Sequence, residues 1–157
     1  MTRRPVVFVH GLWMHSGSWA PWGELSDSAG YRAAAPGWPG DGETPEATRK
    51  DPAQLDNRGI AEVTDHYAEF VSTLPMPPIV IERSFGGLIA QKLLGAGFAS
   101  TCVRAAYRIQ RRNKAVTELV VFADRGHSMP ADHGWRAVAD SALRFLGEHA
   151  PAVPAEA

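Results

Sequence analysis

The sequence belongs to the α/β class, with helices packed around a parallel sheet. Two observations predict this. Short apolar runs bounded by breakers, "PVVFV", "PPIVI" and "ELVVF", have the pattern of strands buried on both faces. Between them lie longer segments whose apolar residues recur every three to four positions, the period of an amphipathic helix. Strands alternating with helices return the chain in one direction across the sheet, and no internal repeat suggests a solenoid instead.

Taken in order, "PVVFVHG" (5–11) is the first strand, ended by Gly11. "SGSWAPWGELSDSAG" (16–30) is a helix, with Ser18 as N-cap, Trp19, Trp22 and Leu25 inward, and Gly30 as terminator. "YRAAAPGW" (31–38) reads as a weaker second strand. The Pro-, Gly- and charge-rich stretch 36–52 reads as a surface loop. Ile60, Val63, Tyr67, Phe70, Val71 and Leu74 define the next helix. "PPIVI" (77–81) is the third strand, and "FGGLIAQKLLGAGF" (85–98) a helix with Leu88, Ile89 and Leu93 inward. Residues 101–112 are expected to be helical and "ELVVF" (118–122) to be the fourth strand. Trp135, Val138, Ala142, Phe145 and Leu146 mark a last helix closed by Gly147. Residues 1–150 form one domain in this reading, and 151–157 a disordered tail.

At 45% hydrophobic and 21% charged residues, the chain is of globular rather than disordered composition. Its formal net charge of −1 supplies no field for nucleic acid, and the basic run "RIQRRNK" (108–114) reads as a solvated helix face. The lone Cys102 cannot form an internal disulfide, and no His/Cys spacing suggests a metal or cofactor site. The apolar stretch at the N-terminus is interrupted by His10 and Gly11, too short for a signal peptide or membrane span. A cytoplasmic protein without membrane or nucleic-acid partners is expected.

In parallel sheets, chemistry collects in the loops beyond the strands' carboxyl ends. Three such ends carry suggestive residues: "HGLW", "ERSFGG" and "ADRGHS". "ERSFGG" is one letter from G-x-S-x-G, the turn that lifts a serine hydroxyl out of a sheet and sets the following N–H at a helix N-terminus. Ser84 stands between a predicted strand and a predicted helix; its blander reading is a helix N-cap. Gly11 permits a sharp turn, so that the Leu12 N–H could face this elbow while the Phe85 N–H supplies a second oxyanion donor. His127, beyond the last strand, is the candidate base; its blander reading is a polar surface residue.

Taken together, "VVFVHGLWMHSGSWAPW", "APGWPGD", "PPIVIERSFGGLIAQKLLGAG" and "TELVVFADRGHSMPADHGW" resemble the α/β-hydrolase superfamily, and within it bacterial esterase- or lipase-type hydrolases. The resemblance implies Ser84 as nucleophile, His127 as base, and the Leu12 and Phe85 amides as oxyanion hole. It implies no cofactor and no metal.

Two departures stand out. The family carries a small residue where this chain has Glu82, because strand and helix backbones nearly touch there. A glutamate at that point should push the backbone or escape to solvent, with Arg83 as a candidate partner. The family also has a helical lid and an acid between nucleophile and base. Here the 43 positions from Ser84 to His127 leave room for two helices and one strand only. The resemblance therefore implies a lidless three-layer α/β/α domain, two sheet strands short, with about four strands in the order 2-1-3-4. Asp124 ranks first as substitute acid, with Asp41 and Glu82 as alternatives. The outer edge of the last strand is expected to be open, inviting a homodimer or poor solubility. The expected activity is weak hydrolysis of small carboxylic esters through an acyl-enzyme. The alternative is an impaired remnant that acts as a binding or interaction domain.

Overall fold

The computed structural model describes residues 2–103, 118, 120–123 and 126–152. The chain begins with the strand β1, Pro5–Val9, all five of whose residues are buried. A 3-10 turn, Ser16–Trp19, runs into helix α1, Ala20–Ser28. Strand β2, Arg32–Ala34, is followed by the short helix α2, Pro45–Lys50, and a second 3-10 turn, Pro52–Leu55. Helix α3, Ile60–Ser72, leads to strand β3, Ile79–Glu82, and helix α4, Gly86–Gly95. Strand β4, Thr101–Val103, and helix α5, Trp135–His149, complete the described elements.

The strands lie in the order β2-β1-β3-β4, every pairing parallel. Side chains alternate across the central strands, so each strand feeds two cores. Val6 and Phe8 of β1, with Ile79 and Ile81 of β3, meet Trp19, Trp22 and the α5 residues Ala139, Ala142 and Leu146. Val7, Val9 and Val80 point the other way, onto Val63 and Tyr67 of α3 and Ile89, Ala90 and Leu93 of α4. These two cores make the three-layer α/β/α arrangement that the apolar runs predict.

Several local expectations need correction. The strand beside β3 is Thr101–Val103, where a helix was expected. Residues 118 and 120–122, expected to be the fourth strand, are not strand. Residues 104–117 lie outside the described residues, as do 153–157 of the expected tail. The stretch 36–52 is not all loop: Thr44 caps α2 by accepting from the Ala47 N–H, with Pro45 at the first helical position. Ser18 is not the cap of the first helical segment. His15 takes that place, accepting from the Gly17 N–H, while the Ser18 hydroxyl donates to the His15 carbonyl. Leu88 is exposed rather than inward. Helix α5 continues through Gly147 to His149.

Two buried tyrosine and tryptophan contacts fix loops at the sheet's carboxyl end. The Trp22 indole donates to the Pro130 carbonyl at 2.8 Å, anchoring the segment that precedes α5. The Tyr67 hydroxyl donates to the Pro36 carbonyl at 2.8 Å, holding the loop after β2. Burial, aided by nearby Asp41, pushes the Tyr67 phenol far above its ordinary value, so it remains a donor.

Candidate active site

The parallel register of β1 and β3 sets Val9 opposite Glu82. The two strands therefore end side by side, and the Arg83 N–H donates to the Val9 carbonyl at 3.2 Å. The turns beyond them, "HGLW" after β1 and "RSFGG" after β3, are thereby forced into one place.

Ser84 has φ of +56°, a left-handed conformation that a serine seldom adopts, and it is exposed. The turn is tight: the Gly86, Gly87 and Leu88 amides fold back onto the carbonyls of Arg83, Ser84 and Phe85. Phe85, at the start of α4, belongs to the amides that a helix leaves without an intrahelical acceptor. Strain at one exposed residue between strand and helix is the elbow geometry that "ERSFGG" predicts.

Glycine is required on both sides of this turn. A Cβ on Gly86 would lie 2.5 Å from the Val9 carbonyl oxygen and 2.9 Å from that of His10. A Cβ on Gly11 would lie 2.9 Å from the Ser84 Cβ, 3.0 Å from the Arg83 carbonyl oxygen and 3.4 Å from the Phe85 nitrogen. The turn bearing Leu12 is thus packed against the elbow. That turn is closed by the Met14 N–H donating to the Gly11 carbonyl, and it holds Trp13 at φ +63°, fully exposed.

Glu82 neither pushes the strand aside nor escapes to solvent. It stays in register with Val9 and is buried at 5% exposure. Room comes from the helix: a Cβ on Gly87 would meet the Glu82 carboxyl group at 2.9 Å, so the side chain occupies the space that this glycine leaves. Arg83 directs its guanidinium to the His127 carbonyl, donating from Nε at 3.2 Å and Nη2 at 3.1 Å, and approaches the Ser128 Oγ at 3.4 Å. The segment bearing His127 is thereby tied to the residue before Ser84, and His127 itself is exposed. Asp124 lies outside the described residues.

Asp41 is engaged elsewhere. Its Oδ2 accepts from the Trp38 N–H at 2.8 Å and lies 3.2 Å from the His10 Nε2. The His10 ring is buried, stacked on Trp38 at 5.4 Å, with Nδ1 3.0 Å from the Gly11 carbonyl oxygen. Burial lowers the His10 pKa, partly offset by the Gly11 carbonyl and the Asp41 carboxylate. With its ring buried and Nδ1 turned to the Gly11 carbonyl, His10 is not placed to act as the base. Sequence reasoning gave His10 little weight because its partner stands 31 positions away in a loop without a motif. Arg83 as the anchor of the His127 segment was likewise missed.

A three-layer fold around a parallel sheet, with a strained serine between strand and helix, defines a class. The match to the alpha/beta hydrolase family spans residues 6–109, more than half of the chain, and the chain belongs to that family. Among solved structures it is similar to a polyneuridine aldehyde esterase variant, at 20% identity and TM-score 0.51 over 63% of this chain and 38% of that one. It is similar also to a pyrethroid hydrolase, at 18% identity and TM-score 0.50 over 64% and 38%. A third likeness, to tomato methylketone synthase I, has 20% identity and TM-score 0.48 over 65% and 39%. The chain spans well under half the length of these structures. At such identities the first two likenesses speak to the fold alone. No curated protein matches the sequence. No helix among the described residues is long and apolar enough to cross a membrane.

Proposed function

We propose that this protein is a serine hydrolase that cleaves small carboxylic esters through an acyl-enzyme. One observation carries the reading: Ser84 is exposed at φ +56° between β3 and α4, with the "HGLW" turn packed against it. Membership of the alpha/beta hydrolase family supports it.

In this mechanism the His127 imidazole takes the Ser84 hydroxyl proton as Oγ attacks the ester carbonyl carbon. The carbonyl π electrons move to oxygen, and the Leu12 and Phe85 N–H groups receive that oxyanion. Collapse expels the alkoxide, which leaves as alcohol with the proton from His127. Water then repeats the sequence on the acyl-Ser84 bond, releasing the acid and restoring the serine. Asp124 is the proposed acid behind His127, since Asp41 is committed to His10 and Trp38. A Ser-His pair with a weak or missing acid retains only part of its rate, so slow turnover is expected.

A second reading, a chain that binds without turning over, draws on the buried Glu82 carboxyl beside the elbow helix. A negative charge there would oppose the developing oxyanion. Hydrolysis of p-nitrophenyl acetate by the parent and by Ser84→Ala separates the two. A burst of nitrophenol followed by slow steady release, abolished in Ser84→Ala, supports the hydrolase. Equal rates in both proteins overturn it in favour of binding alone.

A further inference from the structure

We propose that the cleft beside the elbow is a carboxylate subsite, with the Arg83 guanidinium and the Trp19 indole N–H as its donors. The preferred ester then carries a free carboxylate of its own. That consequence rests on the hydrolase reading; the subsite itself is tested without turnover.

The placement follows from the strand. Ile79 and Ile81 point to the side of the sheet where Trp19 packs, and the period of two brings Arg83 to that side just beyond β3. There a narrow cleft lies between the turn after β1, the first 3-10 turn and the segment before α5. Met14, Trp19, Pro130 and Ala131 line it with apolar surface, and Ser18 and Arg83 with polar groups. Arg83 immediately precedes Ser84, so the cleft and the proposed nucleophile share one turn of chain.

Two donors in this cleft lack a matching acceptor. Arg83 is only 7% exposed, yet the acceptors it has are neutral: the His127 carbonyl, and the Ser128 hydroxyl at 3.4 Å. Those bonds use Nε and Nη2, and no carboxylate among the described residues pairs with the charge. Glu82 packs against Gly87 of α4, and Asp41 faces Trp38 and His10. Burial lowers the Arg83 pKa. Trp19 is 3% exposed, and its Nε1 has no hydrogen-bond partner among the described residues. Burying an unpaired cation and an orphaned N–H costs stability that apolar side chains would not cost.

Indole and guanidinium are donors only, so their complement is an acceptor, and the positive charge makes it an anion. A carboxylate meets both demands, since its two oxygens can accept from the guanidinium and the indole together. His10, which also lines the cleft, is kept neutral by burial and brings no second cation. The apolar lining suits the methylene groups that join such a carboxylate to the ester. As it stands the cleft is narrower than a water molecule. Met14 is the side chain that can yield, being half-buried and unbranched with three rotatable bonds.

Two measurements test this. Propionate and its neutral isostere propionamide are titrated at constant ionic strength, followed by calorimetry and thermal unfolding. Propionate should bind saturably and raise Tm by about 3–6 °C at ten times its dissociation constant, while propionamide should do neither. Arg83→Met should abolish the effect, and Trp19→Phe, which keeps a ring in place and loses the N–H, should weaken binding several-fold. Propionate that does not bind the parent, or binds either folded variant as well as the parent, overturns the proposal. In turnover, p-nitrophenyl hydrogen adipate is compared with p-nitrophenyl hexanoate, which has the same chain without the charge. The parent should favour the anionic ester in kcat/KM by about 10-fold or more, and Arg83→Met should bring the ratio to about one or below. Taking the ratio cancels any loss from the freed His127 carbonyl, which affects both esters alike. Equal ratios in parent and Arg83→Met overturn the proposal. A chain that binds propionate through Arg83 but cleaves neither ester keeps the subsite and overturns the hydrolase reading. One that cleaves both esters and ignores propionate does the reverse.

Discussion

The approach of α4 to the end of β1 can be tested with one methyl group. In Gly86→Ala the new Cβ would sit 2.5 Å from the Val9 carbonyl oxygen, 2.9 Å from that of His10 and 3.1 Å from the Val9 carbonyl carbon. The first distance is roughly 1 Å closer than the range where such contacts become favourable. All three atoms are backbone, so no side chain can rotate away and helix and strand must part. Overpacking of this kind costs about 1–3 kcal/mol, and a rigid neighbour puts this site toward the upper end. Alanine recovers up to about 1 kcal/mol of helix propensity, less in the first turn. A net loss of about 2 kcal/mol corresponds to a fall in Tm of roughly 4–8 °C for a chain of this size. The internal control is Gly95→Ala at the other end of the same helix, where a Cβ meets nothing within 4 Å. It should leave Tm unchanged or raise it by about 1–3 °C. Thermal unfolding followed by circular dichroism reads both. Esterase turnover should fall about 10²-fold in Gly86→Ala, since a shift of about 1 Å separates the two oxyanion donors. A Gly86→Ala protein as stable as Gly95→Ala would refute the proposed contact between helix and strand.

Three further outcomes are expected at the site and the sheet edge. Glu82→Gly removes the buried carboxyl beside the elbow helix and should raise kcat on an activated ester several-fold with little change in KM. Equal or lower activity in a folded Glu82→Gly would make Glu82 itself the leading acid. Arg83→Met releases the His127 carbonyl and should lower kcat by about 10-fold or more with KM little changed, as positioning of the base is lost; unchanged kinetics would show that the Arg83 contact does not position His127. Self-association through an open sheet edge is expected, so sedimentation should show a dimer forming with concentration, and a monomer throughout would contradict it.

The central strands were legible because they are buried on both faces. Val6 to Val9 and Ile79 to Ile81 have no polar position to blur the pattern, and their parallel pairing is dictated by the helices between them. Helix α3 was legible for the opposite reason, its clean division into an apolar and a polar face. β4 was not legible: three residues, Thr101–Val103, are too few for a period, whereas "ELVVF" has the composition of a strand without adopting one at its described positions. Helix α2 carried its signal in Thr44 and Pro45, but the surrounding glycines and prolines concealed it. At the site, the turn at Ser84 was legible from the near match of "ERSFGG" to G-x-S-x-G in its strand–turn–helix context. The accommodation of Glu82 was not, because it depends on Gly87 lacking a side chain at the second position of the next helix. His10 and Asp41 could not be paired from sequence, since the loop after β2 that joins them is shaped by the contacts of Trp38 and Tyr67.

The claim that Ser84 is an activated nucleophile is tested most directly by covalent labelling with a fluorophosphonate ester. Serine attacks phosphorus, fluoride departs, and the protein gains the mass of one phosphonyl group. The account predicts a single adduct per chain on the peptide that contains Ser84, absent from Ser84→Ala and slowed in His127→Ala. A folded parent that acquires no adduct, or acquires it on another residue, would contradict the account.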